Sequence, residues 1–89
     1  MIEKTLVIKN KLGLHARAAA KLSHLANTFN SDVYLLYNED RINAKSLLGI
    51  LTLAATVGNE LTIIADGPDE EETIDAIAKL FERKFDEEN

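Results

Sequence analysis

The chain has 89 residues, 46% of them hydrophobic, which predicts one folded domain spanning residues 1–89. Its formal net charge of −5 disfavours nucleic-acid binding, and the lack of cysteine excludes disulfides and thiolate metal sites. The N-terminus has no basic stretch followed by an apolar one, and the longest apolar-rich run, residues 47–57, is too short to span a bilayer. We therefore expect a soluble, cytoplasmic protein without membrane insertion.

Hydrophobic periodicity in the first half of the chain predicts a strand, a helix and two further strands. Residues 2–8 alternate between two faces, as in a half-buried strand. From residue 15 to about 29 the apolar positions form one helical stripe (Ala18, Leu22, Leu25, Ala26 and Phe29). Residues 32–37 predict a second strand, and the turn at residues 38–40 leads into a short third strand around residues 41–42.

The second half predicts a short helix, a strand and a final helix. Ser46 precedes an apolar run, which is typical of a serine-capped helix. Residues 60–65 alternate again, and Asp69 with Glu72 resembles a capping box that starts the last helix. The apolar stripe of that helix comprises Ile74, Ile77, Ala78, Phe81 and Phe85. The order βαββαβα predicts an α+β open-faced sandwich, with a four-stranded antiparallel sheet covered on one face by three helices.

His15 lies directly after Gly13-Leu14 and directly before the first predicted helix. Unpaired N–H groups and the helix dipole stabilise an anion at such a position, and the same field helps to keep an imidazole nitrogen free as a nucleophile. Arg17, in the first turn, can donate several hydrogen bonds to phosphate oxygens. A plain surface histidine is the alternative that these features alone leave open.

The exposed face of the first helix is basic, because Arg17, Lys21 and His24 are spaced i, i+4, i+7. This face predicts an acidic donor protein. His15 and His24 are nine residues apart, and no acidic residue lies beside them, so we expect no bound metal and no cofactor.

Two motifs together resemble the HPr family, the histidine-containing phosphocarriers of the phosphoenolpyruvate-dependent sugar phosphotransferase system. They are Gly13-Leu14-His15-Ala16-Arg17 followed by Ala19, and the segment Asn43-Ala44-Lys45-Ser46-Leu47-Leu48-Gly49-Ile50-Leu51. The resemblance covers essentially the whole chain.

The resemblance implies that His15 accepts a phosphoryl group on Nδ1 from enzyme I and donates it to enzyme IIA-type components. It further implies that Arg17 steadies the phosphate, while Ala16 and Arg17 lend backbone N–H groups. The chain departs from the family pattern at Ala18, where proline is usual, and at Leu12, where a small polar residue is common. The loss of a side-chain hydrogen bond at Leu12 bears on the lifetime of the phosphohistidine.

The helix after Ser46 has apolar residues on too many sides for all of them to be buried, which predicts an exposed patch. By resemblance, Leu47, Leu48 and Leu51 dock partners beside the histidine. The basic face of the first helix adds Lys21 and His24 to the expected docking surface. Ser46 has two interpretations: it caps its helix, or it is also a regulatory phosphorylation site for an HPr kinase/phosphorylase, which would bring in a transcriptional regulator as partner.

Three hypotheses follow from these features. The first is a monomeric phosphocarrier, which forms a covalent phosphohistidine and is not itself a free-standing enzyme. The second is a regulatory binding module of the same fold, controlled by phosphorylation of Ser46. A free-standing catalyst ranks third, because the sequence has no Walker-type loop and no Ser-His-Asp set.

Overall fold

The computed structural model describes residues 1–87. Four strands and three helices follow one another as β1 (Ile2–Val7), α1 (Ala16–Asn27), β2 (Asp32–Tyr37), β3 (Asp40–Asn43), α2 (Leu47–Thr52), β4 (Glu60–Asp66) and α3 (Glu70–Glu82). A single helical turn over Lys84–Asp86 follows α3. The predicted order βαββαβα is confirmed.

The strands form one antiparallel sheet in the order β1-β4-β2-β3. The face toward the helices carries buried residues of every second position, such as Leu6, Leu35, Leu61 and Ile63. Residues of the other face include Thr5 opposite Thr62, whose hydroxyls are hydrogen-bonded. This is the open-faced sandwich that the alternating pattern predicts. Within residues 1–87, none of the helices is long and apolar enough to cross a bilayer.

Helix α1 begins and ends close to its predicted limits. His15 is its N-cap residue, and the helix ends at Asn27, two residues before the predicted end. The Thr28 hydroxyl donates to the Leu25 carbonyl (2.6 Å), and the N–H of Phe29 bonds to the Ala26 carbonyl in a closing turn. Phe29 therefore lies just beyond the helix, and the apolar stripe extends past its last turn.

The predicted capping box at the start of α3 is wrong. Asp69 is the N-cap residue, but its side chain makes no capping hydrogen bond to its own helix. Its carboxylate instead accepts hydrogen bonds from the backbone N–H groups of Asn30 and Ser31, both at 2.9 Å, and from the Ser31 hydroxyl. The loop between α1 and β2 presents these donors directly to the carboxylate, which joins the loop to α3.

Phe85 is buried, as its place on the apolar stripe suggests, but it lies outside α3. The helix ends at Glu82, and Phe85 follows in the turn Lys84–Asp86, where its ring packs against Phe81 with centroids 4.9 Å apart. The hydrophobic pattern therefore identified the buried residue correctly and the secondary structure around it incorrectly.

Candidate phosphohistidine site

The segment before α1 presents His15 at the helix start. Gly13 has φ +66°, and a Cβ at this position would lie 2.7 Å from the Ala55 carbonyl oxygen, so the turn requires glycine. Leu14 is buried, and its N–H donates to the same carbonyl (3.0 Å). These contacts anchor the segment to the loop after α2.

The side chain of His15 lies at the surface, with 26% of it exposed. It makes no capping hydrogen bond to α1, so the N–H groups of the first turn remain available to an anion. Arg17 is exposed in that turn. Both line a surface cleft of about 560 Å³, together with Lys11, Leu12, Lys21, Asp86 and Glu87. The cleft therefore combines the predicted imidazole and guanidinium with two further lysines.

The expectation that no acid lies beside the histidines is wrong for His15. Its Nε2 contacts the carboxylate of Glu87, a side chain that is only 9% exposed. Burial acts to raise the pKa of Glu87, but hydrogen bonds with His15 and Asn10 outweigh it and lower the pKa below its usual value. Glu87 is therefore ionised at neutral pH. Glu87 follows His15 by 72 residues, so the sequence around either residue gives no indication of this contact.

Asn10 is a second residue that sequence reasoning missed. It is fully buried, and its amide Nδ2 donates to the Gly13 carbonyl (2.8 Å) and to both carboxylate oxygens of Glu87 (3.2 Å each). An asparagine three residues before a glycine could have indicated a turn, but nothing in the sequence indicates the hydrogen bonds from Asn10 to Glu87. Asn10 therefore links the turn at Gly13 to the acidic residue beside His15.

No group of three or more His, Cys, Asp or Glu side chains able to hold a metal ion lies within residues 1–87. His24 is exposed on α1, away from the His15–Glu87 contact.

The basic face of α1 is only partly free. Lys21 donates from Nζ to the Phe85 carbonyl (2.8 Å) and lies 3.8 Å from Oδ2 of Asp86. The Lys21 ammonium group is therefore already engaged by the turn that follows α3, whereas Arg17 and His24 are exposed.

The exposed apolar patch is present, with one residue placed differently from the other two. Leu47 is 39% exposed and Leu48 76%, whereas Leu51 is half-buried and packs against the core. Leu12, 67% exposed at the edge of the cleft, is an additional apolar residue near His15.

Ser46 caps α2, as predicted. Its hydroxyl accepts a hydrogen bond from the N–H of Gly49 (3.0 Å), and its carbonyl accepts one from the N–H of Ile50. The side chain is half-buried.

Comparisons with known proteins give a consistent result. A family model described as "PTS HPr component phosphorylation site" matches residues 2–83. The phosphocarrier protein HPr of Cupriavidus necator is 46% identical over 87 residues, which cover 98% of each chain. The HPr-like protein Crh of Bacillus subtilis is 41% identical over 84 residues, covering 94% of this chain and 99% of Crh.

The fold is also shared with a solved structure of HPr from Thermoanaerobacter tengcongensis, at 45% identity, with a TM-score of 0.96 and full coverage of both chains. The fold and these relatives define a phosphocarrier protein rather than a free-standing catalyst. The chain belongs to the HPr family of the phosphotransferase system, whose partners include enzyme I and enzyme IIA-type domains.

Proposed function

We propose that His15 accepts the phosphoryl group from enzyme I and donates it to enzyme IIA-type acceptors. The observation that carries this proposal is the position of the ring: it is the N-cap side chain of α1, 26% exposed, and it does not cap its own helix. A nucleophilic imidazole at this position has a ready site for the dianion that it acquires.

Arg17 and the backbone of the first turn hold the phosphoryl group in this proposal. The exposed guanidinium donates paired hydrogen bonds to phosphoryl oxygens, and the N–H groups of Ala16 and Arg17 face the same anion. Lys11 and Lys21 line the cleft and add positive charge. Leu12 contributes no hydrogen bond, so the phosphoryl group depends on the cationic residues and the helix start.

Partner docking uses the surface around the cleft. Lys21 and His24 supply the basic part, and Leu47, Leu48 and Leu51 the apolar part, with Leu51 contributing less because it is half-buried. An acidic and partly apolar partner surface complements this arrangement.

Ser46 carries a second, regulatory proposal. An HPr kinase/phosphorylase would add a phosphate at the start of α2, next to Leu47 and Leu48, and the added charge would repel an acidic donor or recruit a transcriptional regulator. The similarity to Crh favours keeping this role beside the carrier function. A purely regulatory module has no need of a nucleophilic imidazole, so the carrier is the primary proposal. We further propose that residues 1–89 act as one domain, as a cytoplasmic monomer.

A phosphoryl-transfer assay tests the carrier role. Phosphoenolpyruvate and enzyme I should add one acid-labile phosphoryl group to the protein, seen by mass spectrometry. His15→Ala should abolish the adduct, while the matched control His24→Ala should retain it. Absence of an adduct on the wild-type protein, with enzyme I shown to be active, would contradict the proposal.

Arg17→Ala refines the same assay. We expect transfer about tenfold slower, as for the loss of a charge-assisted bond worth roughly 1.5 kcal/mol, and a change in unfolding free energy below about 0.5 kcal/mol. Substantial unfolding of this variant would show instead that Arg17 is structural.

A further inference from the structure

The chain returns to His15 through a turn of unfavourable backbone geometry. Lys84, Phe85 and Asp86 have φ angles of 56°, 55° and 61°, in the left-handed region that residues with a Cβ rarely adopt. Such a conformation persists only where surrounding contacts impose it. Here the contacts are the fully buried Phe85 ring and the hydrogen bond from Lys21 Nζ to the Phe85 carbonyl.

The result of this turn is that Glu87 points at the histidine. Its carboxylate contacts Nε2 of His15 and accepts hydrogen bonds from the buried amide of Asn10. The charged groups that share the cleft are Arg17, Lys11, Lys21 and Asp86. An ionised carboxylate only accepts hydrogen bonds, so the nitrogen that it contacts must carry a proton.

We propose that Glu87 is a positioning residue for His15: its carboxylate holds the proton on Nε2 and leaves Nδ1 as the nucleophilic nitrogen. This inference rests on the proposed function of His15 and adds to it the residue that selects the reacting atom. The same logic operates wherever a carboxylate fixes the tautomer of a catalytic or metal-binding histidine.

The transfer step balances with this assignment. The Nδ1 lone pair forms the new N–P bond as the bond between phosphorus and the phosphorylated donor breaks, and the donor leaves with that electron pair. The Nε2 proton stays in place, so the imidazole ring gains a positive charge. Glu87 stabilises that charge, and the cationic ring is in turn a good leaving group when the acceptor attacks phosphorus.

The first test measures the ring without any phosphoryl donor. In ¹⁵N NMR spectra of the unphosphorylated protein recorded at alkaline pH, where the imidazole is neutral, the wild type should show the Nε2–H tautomer. Glu87→Gln should shift the population toward Nδ1–H, because a carboxamide can either donate to or accept from Nε2. The matched control Glu71→Gln, which removes an exposed acid on α3, should keep the wild-type pattern. An unchanged tautomer in Glu87→Gln overturns the inference whatever the transfer assay gives.

The second test measures the rate of phosphoryl acceptance from enzyme I. Glu87→Gln should be about tenfold slower than wild type, with the modification still on His15 and with the native circular dichroism spectrum retained under the assay conditions. Glu71→Gln should match the wild type. A faster Glu87→Gln variant would show that the carboxylate obstructs the histidine and would refute the positioning role, while leaving the carrier function intact. A wild type that accepts no phosphate would instead refute the carrier function. The tautomer measurement would still show whether Glu87 holds the proton on Nε2 of His15.

Discussion

Helices α1 and α2 begin in opposite ways, and the difference separates a reactive helix start from a structural one. Ser46 uses its hydroxyl to satisfy the N–H of Gly49, so its side chain serves its own helix. His15 occupies the same N-cap position on α1, but its side chain makes no hydrogen bond to the first-turn N–H groups. Neither helix has an acidic residue in its first turn. An uncapped helix start therefore keeps its amides for a ligand, whereas a capped one gains stability.

Gly13→Ala should disrupt the turn before α1 and have the largest effect on stability of the substitutions considered. The new Cβ would meet the Ala55 carbonyl oxygen at 2.7 Å, and alanine would be strained at φ +66°. We expect a loss of about 2–3 kcal/mol in unfolding free energy, measured by urea denaturation, and slower phosphoryl acceptance by His15.

Gly58→Ala is the matched control for that variant. Gly58 also has a left-handed φ (+89°), but a Cβ at this position would have no atom within 4 Å, so only the backbone strain of about 1–2 kcal/mol applies. Equal losses in the two variants would show that the contact with Ala55 does not fix the turn.

Ser46→Ala should destabilise the start of α2, with a smaller loss of unfolding free energy than Gly13→Ala. Loss of the hydrogen bond to Gly49 is expected to cost about 1 kcal/mol in unfolding free energy. His15→Ala, made in a Glu87→Gln background so that no buried carboxylate is left without its imidazole partner, should change stability by less than about 0.5 kcal/mol. Chemical denaturation of the two variants side by side gives this contrast. A greater loss in His15→Ala would mean that the histidine also has a capping or packing role.

Asp69 extends the comparison to the start of α3, with the smallest expected effect. The hydrogen bond from the Ser31 hydroxyl, then that from the Asn30 N–H, lowers the pKa of Asp69 from 3.8 to about 2. A lowered pKa means that the ionised form stabilises the fold: the contribution is complete above pH 3.8 and is lost as the pH falls through about 2.

Unfolding free energies measured at about pH 4, 3 and 2 should therefore fall more steeply for the wild type than for Asp69→Asn. Asp75→Asn, an exposed aspartate on the same helix, should follow the wild-type slope. Parallel curves for wild type and Asp69→Asn would mean that the carboxylate does not stabilise the loop at Ser31.

The sequence was informative wherever the signal was local. Alternation of apolar residues identified the strands, the helical stripe identified α1 and α3, and Ser46 identified the start of α2. The tertiary contacts gave no such signal. Asp69 has the residue type and position of a cap, but its carboxylate bonds to Asn30 and Ser31, which are 39 and 38 residues away in the chain. Nothing in the sequence around Glu87 indicates its contact with His15, since a turn of left-handed residues decides where its side chain points.

The order of strands also has a consequence for biosynthesis. β4 lies between β1 and β2 and pairs with both, although it comes last in sequence among the four strands of residues 1–87. A nascent polypeptide emerging from the ribosome cannot complete the sheet until Asp66 has been made, and the contacts from Phe85 and Glu87 come later still. The histidine segment between β1 and β2 is thus synthesised well before Glu87 and acquires its final surroundings only after that residue has been made.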